Sequence, residues 1–130
     1  MGEITTEELR KRYEAGERDF RGLDLSGIEL SGTFTDADFS DVNFQFLEIY
    51  YCSFKGCDLS GADFRGTCIN GFLKIEECVF TELNLSHIFG SGFVFSEGDF
   101  RRVKLKRISL NYGRAASCDL RGIDFSESRW

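Results

Sequence analysis

From Ala37 to Gly66 a bulky apolar residue returns every five positions, at Phe39, Phe44, Ile49, Phe54, Leu59 and Phe64. A period of five fits neither an amphipathic helix, whose apolar residues recur near 3.6, nor a half-buried strand, whose residues alternate at 2. It demands a repeating supersecondary unit. Two positions before each of these central residues stands Ala37, Val42, Leu47, Cys52, Cys57 or Ala62, small or apolar every time, so each unit turns two side chains inward and three outward.

The central positions run from Phe20 to Trp130 with two slips that cancel: a step of four from Leu30 to Phe34 and a step of six from Ile69 to Ile75. With four units to a turn of a square coil, both slips fall on one face and the central residues sort into columns of like residues. Face one carries Phe20, Phe39, Leu59, Phe80, Phe100 and Leu120; face two Leu25, Phe44, Phe64, Leu85, Leu105 and Phe125. Face three carries Leu30, Ile49, Ile69, Gly90, Leu110 and Trp130; face four Phe34, Phe54, Ile75, Phe95 and Ala115. Such columns are what a solenoid of stacked parallel strands requires, with coils about 4.8 Å apart and roughly five and a half of them spanning on the order of 25 Å. Nine of the fourteen glycines stand two residues after a central residue, the position where a type II turn needs positive φ. After Ile75 that slot is mostly Glu, Arg or Tyr, so other turn types are expected in the last two coils.

Before the repeat, Thr5-Thr6-Glu7-Glu8 has the capping-box form and Gly16 stands where a C-cap belongs, which predicts a helix over about 6–15. Ile4, Leu9 and Tyr13 share one side of it, suited to covering the open end of the core. The expected organisation is a capping segment over 1–17 and a single repeat domain over 18–130.

The units Ala37-Asp38-Phe39-Ser40-Asp41 and Ala62-Asp63-Phe64-Arg65-Gly66, and less closely Cys57-Asp58-Leu59-Ser60-Gly61, resemble the motif A(D/N)LXX of the pentapeptide-repeat family. The resemblance covers about residues 18–130. It implies an all-β solenoid, the right-handed quadrilateral parallel β-helix of that family, and the N-terminal stretch looks like the capping helices of its cyanobacterial members. Gly90 and Ala115, small at central positions, and Phe93, large in a usually small slot, depart from the pattern; Phe93 and Phe95 stack beside Gly113 and Ala115, so large offsets small.

Enzymatic chemistry is hard to place on such a chain. His87 is the single histidine, at an outward corner without a patterned nucleophile, and the glycines follow the turn period rather than a phosphate loop. The five cysteines lack zinc-like pairing and read as buried thiols in a reducing compartment. Cys57 and Cys78 share the inward slot of face one in adjacent coils, where a disulfide is sterically conceivable, whereas Cys68 faces outward. No catalytic residue, cofactor or metal is expected. The sequence has no apolar run of signal-peptide or membrane-spanning kind, so a cytoplasmic protein is expected.

Three surface features remain. The residue before each central one points outward and builds an acidic ladder: Asp38, Asp58, Asp99 and Asp119 on face one, and Asp24, Asp63 and Asp124 with Asn43 and Asn84 on face two. The formal net charge is −6, which argues against direct nucleic-acid or anionic-membrane binding. Its distribution is uneven: residues 1–99 hold nineteen acids and eight bases, residues 100–130 three acids and eight bases, with a basic patch at Arg101, Arg102, Lys104, Lys106 and Arg107. The family's gyrase-inhibiting branch resembles DNA in shape and charge, so a DNA-mimicking regulator of a type II topoisomerase is one functional expectation. The leading expectation is a non-enzymatic protein-interaction or scaffold module. It rests on outward aromatics at Phe46, Tyr50, Tyr51, Phe72 and Tyr112, three of them along the edge between faces three and four. An uncapped last coil ending at Trp130 adds an expectation of self-association through that end, acidic part to basic part.

Overall fold

The computed structural model describes residues 4–99, 102–119, 121, 128 and 129, the side chain of Asp99 excepted. Helix α1 spans Thr6–Glu14. The Thr5 hydroxyl accepts the Glu8 N–H at 3.1 Å, the half of the capping box that satisfies an orphan helix donor. The other end closes in a Schellman motif: Gly16, at φ +100, donates to the Tyr13 carbonyl, and Glu17 to that of Arg12, both at 3.0 Å.

Five parallel strands follow in a sheet of order β1-β2-β3-β4-β5: β1 Glu29–Thr35, β2 Glu48–Lys55, β3 Cys68–Glu76, β4 Phe89–Asp99 and β5 Ser109–Asp119. Each strand runs along face three, turns the corner and continues along face four, pairing Leu30 with Ile49, Ile49 with Ile69, Ile69 with Gly90 and Gly90 with Leu110. Faces one and two pair through single bridges, Asp19–Asp38–Asp58–Val79 and Asp24–Asn43–Asp63–Asn84–Lys104. The register is the one that period five dictates. The described part makes about four turns, fewer than the five and a half coils counted from the sequence. Phe100, Arg101, Leu120, Gly122, Asp124, Phe125 and Trp130 lie outside the described residues.

The core is filled by the central and second inward residues of every unit. Phe34, Phe39, Phe44, Phe54 and Phe64 are fully buried and form one ring cluster, with Phe54 touching the other four at centroid distances of 5.4–6.0 Å. Such edge-on and offset contacts add to the burial of the rings themselves. In the fourth coil Gly90, at φ +126, lies so close to the Ile69 backbone that a Cβ would collide with it. Phe93, buried and 4.3 Å from Phe95, pairs with Gly113, and Phe95 with Ala115, so the expected exchange of bulk between neighbouring coils is present.

The helix closes the first coil by standing in for a missing strand. Thr6, Arg10 and Tyr13, at spacing i, i+4, i+7, share one helix face toward the free edge of β1. The Thr6 hydroxyl donates to the Glu29 carbonyl at 2.6 Å, the Arg10 guanidinium donates to that of Ser31 at 2.7 Å, and the Thr35 N–H donates to the Tyr13 hydroxyl at 2.8 Å. Backbone groups that would otherwise offer a pairing edge to another chain are thereby occupied.

Corner geometry corrects one expectation. Positive φ follows the corner slot whichever residue fills it: seven glycines adopt +65° to +87°, while Asp36, Asp41, Phe46, Tyr51, Glu77, Glu82, His87, Glu97, Arg107 and Ser117 adopt +52° to +64°. The corner from face one to face two is a hydrogen-bonded turn in all four described coils, Leu23, Val42, Ala62 and Leu83 donating to Phe20, Phe39, Leu59 and Phe80. Turn type therefore depends on the corner and not on the coil. The ladder bonds of the coils above and below fix the backbone path more firmly than a single residue's preference does. The exception is the corner from face three to face four, where β4 and β5 pass Gly92 and Tyr112 without a positive φ.

Candidate functional site

Over the first three coils corner side chains alternate in size, whereas Glu77, Glu82 and His87 are followed one coil on by Glu97, Arg102 and Arg107. The second coil has no corner glycine, and its Asp36, Asp41, Phe46 and Tyr51 lie over Gly56, Gly61, Gly66 and Gly71 of the third. A Cβ on Gly66 would stand 2.8 Å from the Phe46 ring, and one on Gly71 2.5 Å from that of Tyr51. At these corners the large residue of the second coil takes the space that a Cβ of the third would need.

The acidic ladder is tied to the backbone in the same local way. Asp24, Asp38, Asp58, Asp63 and Asp119, like Asn43 and Asn84, each accept the backbone N–H two residues on, at 2.9–3.1 Å. The residue is thus an Asx turn that holds its own corner. Three acids carry a guanidinium as well, in the pattern Asp-apolar-Arg: Arg21 on Asp19, Arg65 on Asp63 and Arg121 on Asp119. Asp19 is held below the ordinary carboxylate range first by the Arg21 side chain, Asp24 by the Ser26 hydroxyl and then its N–H. Burial pushes Asp63 upward, but Arg65 and Gln45 donate to it and outweigh that effect, leaving it low. The ladder is also interrupted, by Val79 on face one and by Lys104 on face two. Arg102, Lys104, Lys106 and Arg107 sit exposed around face two of the fifth coil; Arg101, Asp124 and the Asp99 side chain lie outside the described residues.

The aromatic candidates divide between two corners. Phe46, 64% exposed, occupies the corner between faces two and three. Tyr51, Phe72 and Tyr112 line the corner between faces three and four, 63%, 36% and 54% exposed, with Tyr51 and Phe72 edge to face at 5.3 Å. Tyr50 stands beside them and donates to the Glu48 carboxylate at 2.8 Å, which raises its own pKa. Between Phe72 and Tyr112 lies an open hollow of about 450 Å³ over Gly71, Gly92, Ser91, Val94 and the Lys74 stem. Exposed Val79 escaped the sequence reading, because an apolar residue in the ladder slot breaks no period; the Asp-apolar-Arg spacing was there to be read in it.

Cys57 and Cys78 are free, buried thiols stacked in adjacent coils. Cys57 donates to the Phe34 carbonyl at 3.4 Å and Cys78 to that of Glu76 at 3.2 Å. The hydrogen bond between the two thiols eases deprotonation of Cys57 and drives that of Cys78 far above the thiol range. Burial does the same to Cys52. Cys118 is half-buried along with Cys68. His87 takes an exposed corner at φ +64. Among the described residues no His, Cys, Asp and Glu converge in a metal-binding group, and no helix is long and apolar enough to cross a membrane.

No curated protein matches the sequence. Among solved structures, the chain is similar to HetL, described as a pentapeptide repeat protein involved in heterocyst differentiation regulation from the cyanobacterium Nostoc sp. strain PCC 7120. The identity is 18%, over 96% of this chain and 79% of that one, with a TM-score of 0.40. It is also similar to QnrB1, described as a plasmid-mediated fluoroquinolone resistance protein, at 22% identity over 85% of this chain and 80% of that one, with a TM-score of 0.35. The family model described as pentapeptide repeats matches residues 37–72 in eight copies. The same register pairs strands on either side of that stretch, from β1 to β5, so residues 37–72 are pentapeptide repeats set within a longer parallel solenoid.

Proposed function

We propose that this is a non-enzymatic protein-interaction module whose contact surface is the aromatic edge between faces three and four. The observation that carries the reading is the alignment of Tyr51, Phe72 and Tyr112 along one corner beside an apolar hollow. Large aromatics left in water at the rim of a hollow are the usual anchors of protein contacts. The ladder acids, by contrast, hold their own corners. Five free cysteines fit a reducing compartment such as the cytoplasm.

Affinity capture from native lysate with the wild type and with a Phe72→Ser/Tyr112→Ser double variant tests it. Partners retained by the wild type and lost by the variant, with far-UV circular dichroism unchanged, are expected; identical partner sets would sink the reading. A DNA-mimicking regulator of a type II topoisomerase such as gyrase has less support. Face two offers carboxylates at only two of its five described rungs, Asp24 and Asp63, and turns basic at Lys104. A supercoiling assay at micromolar protein separates the two, no effect being expected.

A further inference from the structure

We infer that a second copy of this chain packs antiparallel along the aromatic edge, each copy's Tyr51 entering the hollow between Phe72 and Tyr112 of the other. The inference rests on the reading of that edge as a contact surface and names its occupant. A two-fold axis perpendicular to the rod and passing through the third coil exchanges the second coil with the fourth and the first with the fifth. In an isologous contact every projection must then meet a recess at the mirrored rung.

The edge meets that condition one rung to either side of the axis, where Tyr51 and Gly92 exchange places. From the first coil to the fifth it reads Gly32, Tyr51, Gly71 with Phe72, Gly92, Tyr112. Tyr51, one rung from the axis, faces Gly92, one rung away on the other side and the floor of the hollow. Tyr112, two rungs out, faces Gly32. There the Arg10 guanidinium, held by the Ser31 carbonyl, covers the glycine, so the contact at this rung is ring on cation and not ring in recess. Phe72 falls on the axis beside its own copy. On the flanks Tyr50 meets Ser91 and Ser53 meets Val94, pairs without a charge conflict. Lys74 meets its copy across the axis, each already held by Glu76 at 3.4 Å.

The area is sufficient for a weak dimer. Tyr50, Tyr51, Phe72, Phe89 and Tyr112 are each 36–63% exposed. Aromatic side chains of about 200 Å² then offer roughly 500 Å² per copy. The two copies together bury about 1,000 Å², the lower bound for a specific contact. A reversible dimer with a dissociation constant in the tens of micromolar is the size of effect such an area supports.

Sedimentation equilibrium of the full chain over roughly 1–200 μM should show a monomer–dimer equilibrium that Phe72→Ser weakens at least tenfold. The dimer should tighten as salt rises, because the contact between the Lys74 residues is screened; an acidic-to-basic end contact would loosen. For geometry, in a Cys68→Ser/Cys118→Ser background, a mixture of Tyr51→Cys and Ser91→Cys chains treated with a mild thiol oxidant should yield the mixed disulfide over either homodimer. A chain that stays monomeric at 200 μM, a dimer that dissociates in salt, or self-linking of Tyr51→Cys in preference to the mixture would each overturn the inference. If the chain is monomeric yet the Phe72→Ser/Tyr112→Ser variant loses captured partners, the dimer fails and the contact edge stands. If captured partners also survive that variant, both fail.

Discussion

The alternation of corner residues predicts a specific non-additivity at Gly66. Changing Gly66→Ala has two effects. At φ +73 the new Cβ costs about 1 kcal/mol of left-handed strain, after part is offset by the smaller freedom of the unfolded chain. It also reaches within 2.9 Å of Phe46 Cδ1 and Cε1, so the ring must swing away. Phe46 is 64% exposed, so about 60 Å² of it is covered, worth about 1.5 kcal/mol at about 25 cal/mol per Å². Gly66→Ala should therefore cost about 2.5 kcal/mol. Gly22→Ala, at φ +69 with nothing within 4 Å of the added Cβ, meets only the strain and should cost about 1 kcal/mol. Phe46→Ala alone should cost about 1.5 kcal/mol, and the double variant no more than Gly66→Ala, since a ring already displaced cannot be lost twice. Urea unfolding followed by far-UV circular dichroism, run as a double-mutant cycle, measures a coupling near −1.5 kcal/mol. Additivity within about 0.5 kcal/mol, or equal costs for Gly66→Ala and Gly22→Ala, would refute the packing of corner side chains onto the next coil.

Phe54→Ala removes the ring shared by Phe34, Phe39, Phe44 and Phe64 and should cost about 3–5 kcal/mol, at least about 1 kcal/mol more than Phe20→Ala, whose ring stacks only on Phe39; a reversed order in urea midpoints would contradict the cluster. Asp63→Asn should change stability by less than about 0.5 kcal/mol at pH 7, because Asn43 and Asn84 make the same turn, whereas Asp63→Ala should cost about 1–2 kcal/mol. The folded-state pKa of Asp63 lies below its unfolded value, so its contribution is present above about pH 4 and disappears as pH falls through the folded value; pH titration of the wild type should show this acid loss and Asp63→Asn a shallower one. An aromatic disulfide reagent at pH 8 should label Cys68 and Cys118 in the native protein, and Cys52, Cys57 and Cys78 only as fast as the chain unfolds; rapid native labelling of all five would contradict the burial.

Most of the fold was legible in the sequence because the repeat leaves each residue one structural task. Period five assigned Phe39, Phe54 and Leu59 to the interior, and the cancelling slips at Phe34 and Ile75 assigned the faces, so every described central residue lies in its expected column. Corner conformation was less legible. Glycine preference describes what an isolated residue adopts, while Glu77 and His87 are held at positive φ by ladder bonds to the coil nineteen residues on. For the ladder, the sequence showed where the acids stand but not what they accept. Asp24 and Asp58 are outward in position and yet turned back onto their own backbone, and only coordinates separate a free carboxylate from one that closes a turn. The edge aromatics were legible as exposed residues, while the hollow between Phe72 and Tyr112 depends on which coils are neighbours across the six-residue step.

That step marks the aromatic edge by a second route. The repeat departs from five twice, and both departures fall at the corner between faces three and four: four residues from Leu30 to Phe34, six from Ile69 to Ile75. The strand register shifts at this corner between Ser31 and Gly32, between Tyr50 and Cys52, and between Ile69 and Leu73, whereas β4 and β5 pass it without a shift. An extra residue in one strand of a pair re-aims side chains outward without disturbing the ladder on either side. At five residues the third coil would hold either Gly71, needed beneath Tyr51, or a large outward residue, but not both. The sixth residue lets Gly71 receive the Tyr51 ring while Phe72 projects beside it at 5.3 Å, so that two consecutive coils display an aromatic at this corner. A deviation that serves packing alone would fill the core, but Phe72 is 36% exposed, and the core residues flanking it, Ile69 and Leu73, are buried as in a unit of five. The inserted residue leaves the interior as in a unit of five and adds an aromatic to the edge, where it packs on Tyr51.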